Sequence, residues 1–440
     1  MGHPETASLR RGVDHAPVVI LGAGPAGIAA AVALGPAAIL LDAREDVGGL
    51  SGTFERSGAT FDVGGHSFHT PHPAVRDLVF GSLDMFEQRR EARCLVGDAL
   101  IRYPFQKHFR ELGNAGLTAE CERGLREADG GEGARDYESY LVRRFGMGIA
   151  RHFLLPYNRK LWRGDLSRLS TEWTRERIAA PDGVLERFQD RGGRRAPLQD
   201  DTRVAYPARG GFGEITKALA REVHDLRLGA RVALVDIRAK EVVTEEGRRI
   251  GWDRLVSTLP LPDLLRFIPD TPANLRRDGA SLERLPLRLF LVVIGRPVDT
   301  EVQRIYVADP DSPAHKIVVN HNSSDFLRSR RHHGISGEMA LPLASGVSRA
   351  ALEARFLASL RRTGLVRSND PLLDVASIDV PWGYPVPTRG RDAAVSRIRG
   401  WLESAQITIA GRFAEWAYIN ADEAMHRGWV VGTALRDAVA

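Results

Sequence analysis

Gly22, Gly24 and Gly27, followed by Asp42, have the types and the spacing to hold a dinucleotide. Gly22 permits a tight turn, Gly24 lets the main chain approach a pyrophosphate, and Gly27 allows a helix to pack closely on a strand. A helix starting in that turn offers the phosphates unpaired N–H groups and a partial positive charge. Asp42 comes twenty residues after Gly22, where a carboxylate accepts the adenosine ribose hydroxyls. The alternative, a glycine-rich turn in some other α/β protein, leaves the position of that acid unexplained.

Positioning these groups requires a strand, a helix and a second strand in succession. Val18–Leu21 is a short β-branched run, Ile28–Leu34 is a run of small and apolar residues, and Ala38–Leu41 is a second apolar strand ending at Asp42. A second glycine pair, Gly48 and Gly49, lets another loop press on the bound group. Phe54 to Phe61 reads as a hairpin turning at Ser57-Gly58, and a third pair, Gly64-Gly65, brings main chain against something flat before His66. His66, His69 and His72 recur every three residues, as metal ligands can. No carboxylate or thiol cluster joins them, and Pro71 and Pro73 break any helix, so a loop beside the cofactor is the reading adopted and no metal is expected.

From residue 73 to about 199 the pattern is helical and amphipathic, interrupted by a polar linker over 128–135. Two clusters there exceed what helix packing requires. One is Arg102-Tyr103-Pro104-Phe105-Gln106-Lys107. The other runs from Phe153 through Tyr157, Asn158, Lys160 and Trp162, with Trp173, Arg175 and Arg177 beyond it. Aromatic rings suit the apolar face of a sugar and guanidinium groups suit phosphate, although an aromatic core with solvated arginines has the same composition. Strand-like segments follow at 231–237 and 254–258, with a hairpin through Glu245-Glu246-Gly247 between them. Short strands at 289–294, 304–307, 316–320, 338–341 and 378–380 then point to an antiparallel sheet. Ile407 to Ile409 forms a last strand before Gly411 and Arg412. A helix begins near Asp422 and Ala424, with Gly428 and Gly432 for close packing.

The composition, 43% hydrophobic and 27% charged, is that of a globular protein, and no apolar run reaches the length of a membrane span. Cys94 and Cys121 make neither a disulfide framework nor a metal spacing, which points to a reducing, cytoplasmic setting. The net charge of +5 comes without a recognition helix or a basic tail, so an anionic small substrate is expected rather than nucleic acid. Lysine occurs only at Lys107, Lys160, Lys217, Lys240 and Lys316; the remaining basic residues are arginine.

The double-glycine extension is absent from plain NAD-type Rossmann enzymes and is found in FAD proteins of the glutathione-reductase and amine-oxidase type. Within that superfamily the sequence resembles the UDP-galactopyranose mutases, nearer their eukaryotic-type branch. The resemblance is carried by Gly65-His66-Ser67-Phe68-His69, Tyr103-Pro104-Phe105-Gln106, Pro156-Tyr157-Asn158-Arg159-Lys160-Leu161-Trp162, Gly383-Tyr384-Pro385-Val386-Pro387 and Gly411-Arg412-Phe413-Ala414-Glu415-Trp416-Ala417-Tyr418. It implies an α/β fold with a glutathione-reductase-type Rossmann FAD domain (16–75, 200–265 and 400–440). It further implies an inserted helical substrate domain (76–199) and an antiparallel-sheet substrate domain (266–399).

The resemblance also implies an isomerase that interconverts pyranose and furanose forms of a nucleotide sugar, UDP-galactose-like, in carbohydrate biosynthesis. In that family reduced FAD acts without net redox change: its N5 bonds to the anomeric carbon while the diphosphate leaves and returns. The nucleotide (UDP, TDP or GDP), NADPH or NADH as the reductant, and a homodimer are left open. On this reading the cofactor residues are Gly22, Gly24, Ala26, Gly27, Asp42, Ala43, Arg44, Gly48, Gly49, Leu50, Ser51, Gly64, Gly65, His66, Val232, Gly411, Arg412, Asp422 and Ala424. Arg177 and Lys316 hold the diphosphate, helped by the hydroxyls of Tyr306, Tyr384 and Tyr418. Tyr103, Phe105 and Gln106 face the uridine, while Tyr157, Asn158, Trp162 and Asn322 line the sugar pocket. His66, Arg177 and Lys316 are the candidate catalytic residues. Lys316 replaces a second phosphate-gripping arginine of the family and follows His315, where a tyrosine is usual. A lysine is a point charge without the bidentate fork, which implies a shifted substrate. A redox flavoenzyme of the amine oxidase or desaturase type is the alternative, and a non-catalytic flavin-binding protein is a third class.

Overall fold

A computed structural model describes residues 14–174, 203–341 and 346–439; Arg175 and Arg177 lie outside them. The strand Asp14–Leu21 runs into the helix Pro25–Leu34 and on to the strand Ala38–Leu41. The two strands pair in parallel, with Val18 opposite Ala38 and Leu21 opposite Leu41. Their near-continuous apolar sequence follows from being covered on both faces. Val18 and Ile20 pack with Ile28, Ala30 and Leu34, while Val19 and Leu21 pack with Leu255 and Leu264 on the opposite side.

The sheet around them has the order Val232–Asp236, Glu241–Thr244, Arg249–Ser257, Asp14–Leu21, Ala38–Leu41, Leu226–Arg227, and Ile407–Ile409 also pairs in parallel with Arg249–Ser257. The last helix, Ala421–Val439, lies on Pro25–Leu34. Gly428 and Gly432 permit the contact: a Cβ added at Gly428 would stand 1.9 Å from the carbonyl oxygen of Ala26, and one at Gly432 would stand 2.5 Å from that of Ala30. The hairpin Thr53–Arg56 and Ala59–Asp62 turns at Ser57 and Gly58, both at positive φ, as the Ser-Gly pair predicts.

The second sheet has the order Leu372–Pro385, Arg284–Ile294, His333–Ala340, Lys316–Val318, Arg304–Val307, Ala92–Val96, Ala99–Arg102. Its last two strands come from the region read as helical, and Ala92–Val96 pairs in parallel with Arg304–Val307. Met85–Arg89 is likewise a strand, paired with Arg203–Pro207. These short runs carry no helical periodicity of their own; Met85–Arg89 and Ala92–Val96 take partners more than a hundred residues away, and Ala99–Arg102 is the hairpin mate of Ala92–Val96. Helices do fill 115–162: Ala115–Glu127, capped by Asn114, then Tyr137–Ile149, capped by Asp136, then Leu155–Trp162. Among the described residues no helix is long and apolar enough to cross a membrane.

Candidate active site

The first glycine turn is built as the spacing requires. Gly22 has φ +101° and its N–H donates to the Leu41 carbonyl at 2.7 Å. A Cβ at Gly27 would lie 1.9 Å from the Gly22 oxygen, so only glycine lets the helix begin so close to the strand. At Gly24, by contrast, a Cβ would meet nothing within 4 Å, and no side chain caps the helix that starts there. An open space before uncapped helix N–H groups fits a pyrophosphate.

Asp42 accepts the N–H of Ala23 at 2.7 Å and that of Arg44 at 2.8 Å, one on each carboxylate oxygen. It therefore braces the glycine turn and still has lone pairs for ribose hydroxyls. Gly48 donates to the Ala23 carbonyl at 2.8 Å, and a Cβ at Gly49 would stand 3.4 Å from Gly24 Cα, so the second loop rests directly on the first. Leu50 and Ser51 complete the turn Gly49–Ser51, and Ala43 and Arg44 follow Asp42. Val232 directs its side chain into the sheet core. Gly411, at φ +100°, Asp422 and Ala424 close the far side: a Cβ at Gly411 would touch that of Ala26 at 2.9 Å, and Ala424 packs on Ala26. Arg412 is spent on main chain, donating to the carbonyls of Ile419 and Gly383. Asp42→Ala removes two charge-assisted hydrogen bonds from this cradle and is expected to weaken flavin binding at least roughly tenfold. Visible absorbance per protein after dialysis would measure the loss.

The third glycine pair meets protein on one side. Gly65 donates its N–H to Glu338 Oε1 at 2.7 Å, and a Cβ there would press on Val318 at 2.6 Å. The strand Lys316–Val318 thus lies against the turn. His66 is not poised for acid–base chemistry. Its Nε2 lies 3.1 Å from the Leu50 carbonyl and 3.0 Å from that of Val63, so the ring donates there, and it stacks on Phe212 at 4.7 Å. Burial lowers its pKa to about 4, with Lys316, Arg304 and Arg412 adding to the effect. The ring is neutral at physiological pH and acts as a brace for the turn. Among the described residues no group of three potential metal ligands exists, and His72 pairs with Glu423 at 2.9 Å and stacks on His426.

Beside the turn stands a continuous wall of rings. Tyr103 stacks on Tyr306 at 4.4 Å, Tyr306 meets Tyr157 at 5.9 Å, and Tyr157 meets His315 at 6.3 Å. His315 meets Tyr384 at 6.2 Å, Tyr384 meets Tyr418 at 5.4 Å, and Tyr418 meets Trp162 at 5.2 Å. Residues scattered over more than three hundred positions are thus brought together. Four other residues assigned to the substrate are engaged within the protein. Phe105 is wholly buried against Phe109 and Phe153 and belongs to the helical core. Gln106 is buried in the same short helix. Asn158 accepts from Tyr137 and donates to the Leu154 carbonyl, which commits its amide within the bundle. Asn322 donates to the carbonyls of Thr300 and Val302 and ties a loop.

Two residues were missed. Arg304 shares a strand face with Tyr306, two residues on, and forms no salt bridge among the described residues; that alternation was the available signal. Glu338 is the other. Only 1% of its side chain is exposed, and it receives Lys316 Nζ at 2.7 Å, Gly65 N–H at 2.7 Å and the Tyr384 hydroxyl at 2.7 Å. Burial alone would raise its pKa, but the Lys316 ammonium holds it well below the usual glutamate range. Lys316 is therefore half of an ion pair, and Tyr384 gives its only proton to Glu338 rather than to a diphosphate.

A family model described as flavin containing amine oxidoreductase matches residues 25–282, more than half of the chain. The chain belongs to that family. A crystal structure of reduced UDP-galactopyranose mutase superposes with a TM-score of 0.86 at 24% identity, covering 96% of this chain and 94% of that one. Wild-type putrescine oxidase bound to putrescine gives 0.69 at 17% identity over 96% and 99%. A fatty acid isomerase from P. acnes that produces CLA gives 0.64 at 15% over 96% and 98%. These likenesses establish a shared fold. The family is a flavin-containing one.

Proposed function

We propose that this chain is a reduced-FAD-dependent mutase that interconverts the pyranose and furanose forms of a nucleotide sugar. The observation carrying this reading is the juxtaposition of the ring wall, from Tyr103 to Trp162, with Lys316 beside the Gly64-Gly65 turn. The rings give a sugar and a base apolar faces to lie on, while Lys316, Arg304 and the hydroxyls of Tyr306 and Tyr418 supply donors for a diphosphate. Arg177 joins them in the proposal on the strength of the sequence resemblance. The fold-wide superposition on the reduced mutase supports the same reading. When bound, reduced FAD supplies an N5 nucleophile toward the anomeric carbon with no net oxidation. The protein's part is to hold the leaving diphosphate within reach for its return, to keep the sugar's reacting carbon over the Gly65 turn, and to exclude water with the aromatic wall.

A redox reading is favoured by two observations: the family's description as an amine oxidoreductase, and the sharing of the Lys316 charge with Glu338. Turnover separates the two. Dithionite-reduced protein is expected to isomerise a UDP-, TDP- or GDP-hexose through many cycles per flavin, with no oxygen consumed and no activity in the oxidised form. Equal activity of the oxidised form, or one oxygen consumed per substrate, would refute the mutase reading.

A further inference from the structure

His315 is an incompletely satisfied, titratable buried group beside the site. Its side chain is 2% exposed, its Nδ1 has no hydrogen-bond partner among the described residues, and its Nε2 stands 3.7 Å from Glu338 Oε2, beyond hydrogen-bond distance. Buried polar atoms are nearly always partnered, so an exception calls for a reason. A second arrangement of the cluster in which the imidazole is satisfied would provide one.

The surrounding charges indicate that arrangement. Glu338 faces His315 from the neighbouring strand, Lys316 follows it in its own, and Lys160 approaches from the helix Leu155–Trp162, with the rings of Tyr157 and Tyr384 on either side. Lys160 is anchored by the carbonyls of Asp309 at 2.8 Å and Ala314 at 2.7 Å, and burial lowers its pKa to about 7. Lys316 and Glu338 cancel each other. Burial holds His315 below its ordinary pKa, so the imidazole is neutral while that pair is intact. An anion arriving at the Lys316 ammonium adds negative charge to a buried, balanced pair, and the carboxylate then lacks its cation. His315 is the titratable group placed to replace it.

We propose that binding of a diphosphate at Lys316 is coupled to uptake of one proton by His315, which then closes on Glu338 as the carboxylate's new cationic partner. The proton comes from solvent, and no covalent bond other than N–H is made. His315 is thus a positioning residue, acting on the ligand through Glu338 and Lys316. The inference rests on the reading of this pocket as a diphosphate site. Its sign is fixed: a group whose pKa rises on binding makes the ligand bind more tightly at low pH. Affinity falls by up to about tenfold per pH unit between the free-state and bound-state pKa and levels off above the latter.

The test is calorimetry of UDP-galactose added to the oxidised holoenzyme near neutral pH, in PIPES, HEPES and Tris, whose ionisation heats differ. The diphosphate diester of that probe does not itself titrate there. The observed heat is expected to vary with buffer ionisation heat, with a slope corresponding to about one proton taken up per ligand. His315→Tyr and Lys316→Met, each checked for retained flavin absorbance, are expected to abolish the dependence. Binding by the wild type without proton uptake overturns the inference and leaves the diphosphate reading standing. Uptake that persists in His315→Tyr also overturns it, by moving the proton to another group. Failure of UDP-, TDP- and GDP-hexoses alike to bind overturns the diphosphate reading, and the inference with it.

Discussion

Gly428→Ala adds one methyl group and is expected to cost about 3 kcal/mol of stability together with most of the bound flavin. The new Cβ would stand 1.9 Å from the carbonyl oxygen of Ala26 and 2.7 Å from its carbonyl carbon, and neither is the end of a side chain that can swing away. The helix Ala421–Val439 must therefore move outward. The helix it would push is Pro25–Leu34, whose first turn forms the phosphate cradle. Gly400→Ala is the matched control. It also lies in a helix, a Cβ there meets nothing within 4 Å, and helix propensity favours alanine by about 1 kcal/mol. Thermal melts and the ratio of flavin to protein absorbance should separate the two variants in opposite directions.

Glu338→Ala is expected to be at least as damaging, on the order of 3–5 kcal/mol, because it leaves a buried cation without its partner. It strands the Lys316 ammonium, the Gly65 N–H and the Tyr384 hydroxyl at once. Glu338→Gln keeps one acceptor oxygen and should fall between alanine and the wild type in denaturant unfolding. The pH dependence follows from the depressed pKa of this carboxylate. The stability it contributes is present above the ordinary glutamate pKa and is lost as pH falls through the lower, folded-state value. The deficit of Glu338→Ala relative to wild type should therefore shrink in acid. A deficit that stays constant from neutral pH into acid would show that the loss comes from packing and not from charge.

The contrast between Asp42 and Glu338 shows what a single sequence makes legible. Asp42 stands at a fixed distance from Gly22 because one short strand–turn–helix–strand unit separates them, so spacing alone assigns its task. The Ser57-Gly58 hairpin is equally local. Glu338 is an acid in an otherwise unremarked strand. Its partners Gly65, Lys316 and Tyr384 arrive from three distant stretches, and no local pattern announces their meeting. The same limit explains Asn158 and Asn322. The resemblance assigned both to the sugar pocket, whereas their hydrogen bonds to the carbonyls of Leu154, Thr300 and Val302 depend on packing that no local pattern shows. The tyrosines were grouped by the family resemblance, which supplied long-range information that periodicity lacks, and the fold places their rings in contact.

The strand Ile407–Ile409 and the helix Ala421–Val439 complete the same sheet and cradle that Asp14–Leu21 and Pro25–Leu34 begin. During synthesis the glycine turn is therefore made well before its covering helix, which is absent until residues 421–439 have emerged. Until then the nascent polypeptide must shield the bare alanine face of Pro25–Leu34 by other means. Capture of the cofactor becomes a late event, and fragments cut ahead of residue 421 should behave as chaperone clients rather than as flavoproteins.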